Sequence, residues 1–350
     1  MVKKIKGRFF IKKSKYKMAI STPFLRFNKT LFRKAFVLLL LIILHFNTGY
    51  SQVYTDEIAT ASANDFYISN KDRYYTNGNQ FYYRHAIKQK GIDSTLEKKI
   101  FELESGQKIY NPFFAKAPDA ATHNRPFTAY LYLGTSFNWF YKNEKIVKIS
   151  AQVGTIGPNA LGKEIQTSYH KLLNLFTPQG WEYQLKNEIG LNLAADYSRL
   201  LYRNPSKHLD ITGLSSALLG NTFSGANVGM LLRLGQCNPL YQSVSFNSLI
   251  GNNNKPVAKE YFIFLRPKIN YVAYNATIQG GMFRSDKGPV TFGVKPFVFV
   301  PDVGASFSSA RWSVNFIITL TSNEVQSTAT GYSYATWSVF YRFKQKVLKW

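Results

Sequence analysis

Two histidines and a few oxygen-bearing side chains carry the chemistry this sequence could do. His170 and His123 are each of the residue type that takes a proton from water near neutral pH. Asn64 and Asp65 stand side by side, with Thr76 eleven residues further on. Asp and Asn oxygens suit a hard cation such as calcium, and a cation there would stabilise an oxyanion. Lys116 could hold a phosphate. There is no Gly-x-Ser-x-Gly elbow and no His-Glu-x-x-His pair, so water is the expected attacker rather than a hydroxyl nucleophile. Cys237 is the single cysteine, which excludes a disulfide framework and a cysteine-based metal cage. Each residue also has a plainer reading. His170 could be a surface histidine, Asp65 a turn former, and Lys116 a solvated loop cation. Asp72 and Arg73 could simply pair with each other, and His85 and His208 read as structural or exposed.

The elements that must position these residues read as strands. Runs such as Phe127–Trp139, Ile146–Thr155, Tyr261–Tyr271, Trp312–Leu320 and Tyr334–Phe343 alternate with period two and are rich in aromatic and β-branched residues. About twelve strands are expected, near 57–67, 77–88, 96–109, 126–141, 145–156, 183–201, 207–219, 225–234, 259–274, 290–301, 311–321 and 333–343. An even number of strands of about ten residues in an exported chain predicts an all-β fold, a twelve-stranded antiparallel transmembrane β-barrel. Closure satisfies every backbone group in lipid, which an open sheet cannot do. A soluble β-sandwich is the competing architecture. One segment breaks the alternation. In Gly162–Phe176, Ile165, Tyr169, Leu172, Leu173 and Phe176 share one face, while Lys163, Gln166, His170 and Asn174 lie on another. This predicts an amphipathic helix stopped by Pro178 and Gly180. With the first strand running outward, Asn64, Asp65, Thr76, Lys116, His123 and His170 all fall at the extracellular rim.

The charge of +25 is uneven. Residues 1–34 hold twelve Lys and Arg and no acid, and the apolar run Ala35–Leu44 follows. Gly49 and Ser51 stand at the −3 and −1 positions of a cut before Gln52. Together these read as a secretory signal peptide over residues 1–52, too short in its apolar core to span a bilayer. Its removal leaves +13 on residues 53–350, read as a single barrel domain, and argues against nucleic acid as a partner for an exported chain.

Several segments carry a family resemblance. They are Asn64-Asp65 followed by Asp72-Arg73-Tyr74-Tyr75-Thr76-Asn77-Gly78, then Asn124-Arg125-Pro126-Phe127, Gly157-Pro158-Asn159-Ala160-Leu161-Gly162, and Gln166 to His170. Gly180-Trp181 and Gln184-Leu185-Lys186-Asn187-Glu188 continue the pattern. The chain resembles the outer-membrane lipid A 3-O-deacylase family in order along the whole mature sequence. The resemblance implies a monomeric barrel in the outer membrane with its site facing outward. It implies calcium-dependent hydrolysis of the 3′-linked acyloxyacyl ester of lipid A, the lipopolysaccharide anchor of the outer leaflet. It implies His170 as the water-activating base, Asn64 and Asp65 on the calcium side, Thr76 as the site hydroxyl and Lys116 as the second-loop lysine. The segment Lys344–Trp350 departs from the family by extending past the usual terminal aromatic. A non-enzymatic barrel (a pore or a lipid-binding or adhesive surface) and an outer-membrane phospholipase are the competing functions.

Overall fold

The computed structural model describes residues 53–69, 72–88, 94–252 and 258–346. The expected signal peptide and the last four residues of the Lys344–Trp350 extension lie outside them.

Fourteen strands run in chain order among the described residues: β1 (Val53–Asn64), β2 (Tyr74–Ile87), β3 (Leu96–Asn111), β4 (Thr128–Tyr141), β5 (Lys145–Ile156), β6 (Glu188–Arg203), β7 (Leu209–Gly220), β8 (Phe223–Gln236), β9 (Glu260–Arg266), β10 (Lys268–Asn275), β11 (Phe297–Phe299), β12 (Asp302–Ser308), β13 (Trp312–Thr321) and β14 (Tyr332–Lys346). All neighbours are antiparallel, and β1 pairs with β14. β8 pairs with both β9 and β10. β9 and β10 are one barrel strand interrupted at Pro267, and β11 and β12 are another interrupted before Asp302 by Pro301. Proline lacks the N–H the ladder needs, so each break falls where pairing must fail. The result is a closed barrel of twelve strands, as expected. Differences lie at strand ends. The first strand stops at Asn64 because Asp65–Tyr67 turns into a 3-10 helix. The sixth begins at Glu188, after a 3-10 turn over Trp181–Tyr183.

Side chains alternate across the wall. On the outer face, Ile58, Phe81, Leu103, Leu133 and Leu191 are exposed apolar residues. On the lumen face, ion pairs fill the interior. Arg342, Glu57, Arg84 and Glu102 occupy one register row across β14, β1, β2 and β3. Glu57 accepts from Arg84 at 2.9 Å and from Arg342 at 2.7 Å, and Arg84 also pairs with Glu102. Alternating sign keeps each buried charge beside its opposite.

Short turns between β4 and β5, β6 and β7, and β12 and β13 mark one end of the barrel, and long loops mark the other. Two connections break that rule. The brief turn at Asn221 sits at the long-loop end. The long connection from β8 to β9 sits at the short-turn end and folds back inside, where Val244 and Leu249 pack against Ala59, Phe262 and Phe340. Leu240 and Ile250 pack against Ile100 and Phe140.

Candidate active site on the outer wall of the barrel

The site is built against the outside of the wall, not in the lumen. Ser62 and Asn64 of β1, Asn77 and Asn79 of β2 and Ile109 of β3 line a cavity of about 580 Å3. They stand on the same outward faces as Ile58, Phe81 and Leu103, a few residues further along their strands. The other side of the cavity is the helix α1 (Gly162–Leu172). Asp65, Thr76, Lys116 and His170 line the same space. Five predicted residues far apart in sequence therefore meet in one cleft.

Local features aim each side chain. The ladder between β2 and β3 slips between Tyr75 and Asn77. Thr76 is the extra residue of that bulge, a device that re-aims a side chain. Tyr75 can thus pack on the lumen side with Tyr110 while Asn77 faces out. Tyr74, just before, holds a left-handed φ of 59°, a costly conformation for an aromatic residue. Its hydroxyl is fixed by Asn124 and by the Thr330 N–H.

The helix α1 is pinned to the wall by its polar stripe. Gly162, Gln166 and His170 are its buried residues. Gln166 Oε1 accepts from Trp181 Nε1 at 2.7 Å, and the Trp181 ring packs tilted against Phe127 with centroids 5.0 Å apart. Gln107, from the outer face of β3, donates to the Ala160 carbonyl at 2.6 Å just before the helix. The helix is shorter than the expected span to Phe176, while its polar and apolar residues fall on separate faces as expected. It ends at Leu172, and Asn174 beyond it adopts a left-handed φ of 54°. Its apolar residues Ile165, Tyr169 and Leu172 are exposed.

At the centre is Asp72. Its carboxylate accepts from His170 Nε2 at 3.0 Å, from Gln166 Nε2 at 3.3 Å, and from the Thr76 hydroxyl. The plainer reading, in which Asp72 pairs with Arg73, does not hold, since the Arg73 guanidinium lies over the Phe113 ring. The other ring nitrogen of His170, Nδ1, donates to the Phe176 carbonyl at 2.7 Å. Burial lowers the His170 pKa, but the bonds to Asp72 and Phe176 outweigh it, and the imidazole sits above its ordinary value.

Thr76 also lies 3.3 Å from Asp65 Oδ1, so two carboxylates converge on one hydroxyl proton. Asp65 Oδ2 takes the Arg73 N–H at 2.7 Å. Burial, reinforced by the charge of Asp72 and opposed by the Arg73 and Thr76 bonds, pushes the Asp65 carboxyl up to about 8. Asn64 Oδ1 accepts from the Phe66 N–H at 2.7 Å. Carboxylate, amide and hydroxyl oxygens short of positive charge fit a hard cation. Among the described residues no group of three or more His, Cys, Asp and Glu stands ready to hold a metal. A cation here would depend on amide, hydroxyl and water oxygens as well.

Lys116 stands exposed at the mouth, held by a backbone bridge to Gln179. His123 goes elsewhere. It is buried between Phe127 and Tyr183 and donates Nε2–H to the Ala117 carbonyl at 2.8 Å. Neither Asp72 nor Gln166 is among the site residues expected from the sequence. The four-residue spacing of Gln166 and His170 was the visible signal that both share one helix face.

A sequence profile for the outer membrane protein LpxR matches residues 35–343. The chain belongs to the LpxR family. That family places the barrel in the outer membrane and its exposed apolar belt against lipid. LpxR from Salmonella typhimurium has a similar solved structure, at 21% identity and a TM-score of 0.66, covering 82% of this chain and all of that one. At that identity the likeness is one of fold. The β-domain of the Bordetella autotransporter Brka covers 84% of this chain and all of its own at 8% identity and a TM-score of 0.41, a likeness that carries no argument. No curated protein matches this chain.

Proposed function

We propose that this protein hydrolyses the 3′-linked acyloxyacyl ester of lipid A, as a monomer in the outer membrane with its site facing the cell exterior. One observation carries the reading: a buried histidine with an oxygen cluster beside it stands in a cleft on the lipid-facing side of the wall. A lipid ester reaches such a cleft sideways from the outer leaflet, whereas a soluble ester has no reason to be met there.

His170 is the base. The Phe176 carbonyl holds Nδ1–H and so leaves Nε2, in the neutral ring, free to take a proton from water. Asp72 accepts from protonated Nε2 and stabilises the imidazolium that forms. Gln166 holds Asp72 in place and ties it through Trp181 to the barrel. Asn64 and Asp65 would hold calcium, with the Thr76 hydroxyl beside them. When bound, that ion supplies Lewis-acid polarisation of the ester carbonyl. Lys116 at the mouth is placed to meet a glucosamine phosphate.

The test is mass spectrometry of lipid A from cells expressing the parent or His170→Ala. The parent is expected to remove the acyloxyacyl group and the variant to leave it, with the barrel still folded. Unchanged deacylation in the variant would sink the assignment of the base. Product release from phospholipid but not from lipid A would move the reading to a phospholipase. Full turnover in excess chelator would remove calcium from the reaction.

A further inference from the structure

The way α1 is docked inverts the usual arrangement of a surface helix. A helix packed on a soluble protein buries its apolar stripe and shows water its polar one. Here Gln166 and His170 are turned inward, Ile165 and Tyr169 are left partly exposed along the edge of the cleft, and Leu172 is 81% exposed. Leu161 before the helix and Phe176 after it are exposed too. Across the cleft stand Phe66 and Phe114, the latter 65% exposed. Apolar side chains gathered this way in water mark a surface that something covers.

We propose that this surface lies in the acyl-chain layer of the outer leaflet, so that α1 is a lipid-contacting helix fixed to the barrel rather than a lid over it. Two features select lipid over a protein partner. The cavity wall facing α1 is the outward face of β1 to β3, and the same faces carry Ile58, Phe81 and Leu103 of the membrane belt. From Phe81 to Asn77 is four residues of strand, ~10 Å of height once tilt is allowed for. The apolar surface is thus continuous with one that already meets lipid. Lys163 and Lys171 are exposed on the same helix, where cations of an interfacial helix meet lipid phosphates. The inference rests on the membrane placement of the barrel and not on the hydrolysis.

The experiment uses the full barrel refolded into vesicles of phosphatidylethanolamine and phosphatidylglycerol, with and without lipopolysaccharide. Nitroxide labels are placed by Leu172→Cys, Ile165→Cys, Lys163→Cys and, as a belt control, Phe81→Cys. The buried Cys237 is replaced by serine, or by alanine if the serine variant refolds poorly. Collision with oxygen is compared with collision with a water-soluble nickel chelate. Positions 172 and 165 are expected to favour oxygen severalfold, as position 81 does, and position 163 to favour nickel. Nickel-dominated collision at 172 and 165, with position 81 still reading lipid, would overturn the proposal. Low collision with both reagents would also overturn it, by reporting cover from protein. The same pattern in His170→Ala separates this result from the fate of the hydrolysis reading.

Discussion

Replacing Gly162 by alanine sets two effects of opposite sign against each other. By helix propensity alone, alanine would stabilise α1 by up to about 1 kcal/mol. The structure opposes it, because an added Cβ would lie 2.6 Å from the Ala129 Cβ and 2.6 Å from Trp181 Cη2. Ordinary carbon contact is about 3.5–4.0 Å, so the intrusion is roughly 1 Å. Neither neighbour can easily retreat: Ala129 belongs to the wall strand β4, and the Trp181 ring is held by Gln166 and Phe127. Overpacking of this kind costs about 1–3 kcal/mol and exceeds the propensity gain. The helix must lift from the wall, and His170, two turns further on, moves with it relative to Asp72 and Thr76. A displacement of about 1 Å at a reacting group costs on the order of 100-fold in rate. Gly162→Ala is therefore expected to deacylate lipid A about 100-fold more slowly, by time-resolved mass spectrometry, while the barrel keeps its heat-modifiable mobility on gels. A variant within roughly threefold of the parent rate would refute the claim that the close approach of α1 positions the base.

Three further outcomes follow from the same structure. Glu57→Ala leaves the Arg84 and Arg342 guanidinium groups without their shared carboxylate and should cost about 3–5 kcal/mol; an unchanged urea midpoint in vesicles would contradict it. Burial, against the opposing charge of Arg233, pushes the Cys237 thiol up to about 11. Alkylation by iodoacetamide near pH 8 should then be on the order of 100-fold slower than in the urea-unfolded chain, since the thiolate is the reactive form. The His170 pKa is raised, so the stabilisation from its contact with Asp72 is fully present below the ordinary imidazole range and is lost as pH rises through the raised value. Histidine NMR in chelator should show that midpoint falling in Asp72→Asn, and an unmoved midpoint would show that Asp72 does not set it.

A planar-bilayer measurement bears on the competing pore reading. A pore needs an open lumen, whereas here paired side chains and the β8–β9 connection occupy it. Steady large conductance would require that connection to leave.

Much of this protein was written in local sequence. Period-two alternation is a property of each strand by itself, so the twelve strands and their order could be read without knowing their partners. Adjacent residues such as Asn64 and Asp65, and the helical spacing from Gln166 to His170, likewise needed no tertiary information. Barrel closure then forces strand ends into two rims, which is why distant polar residues could be expected on one of them. What the sequence left open was direction and choice. Asp72 and Arg73 are neighbours of opposite charge, and only the packed loop turns the carboxylate to His170 and the guanidinium to Phe113. His123 and His170 are the same residue type in neighbouring loops, and burial between Phe127 and Tyr183 removes one of them from the cleft. The hydrophobic pattern of α1 fixed its two faces, but not which would meet the wall. That depended on what the neighbouring loops offered: Asp72 to receive His170 and Gln166, and Trp181 to donate to Gln166. A helical period records which residues share a face, while the partners that satisfy a buried polar face come from segments far away in the chain.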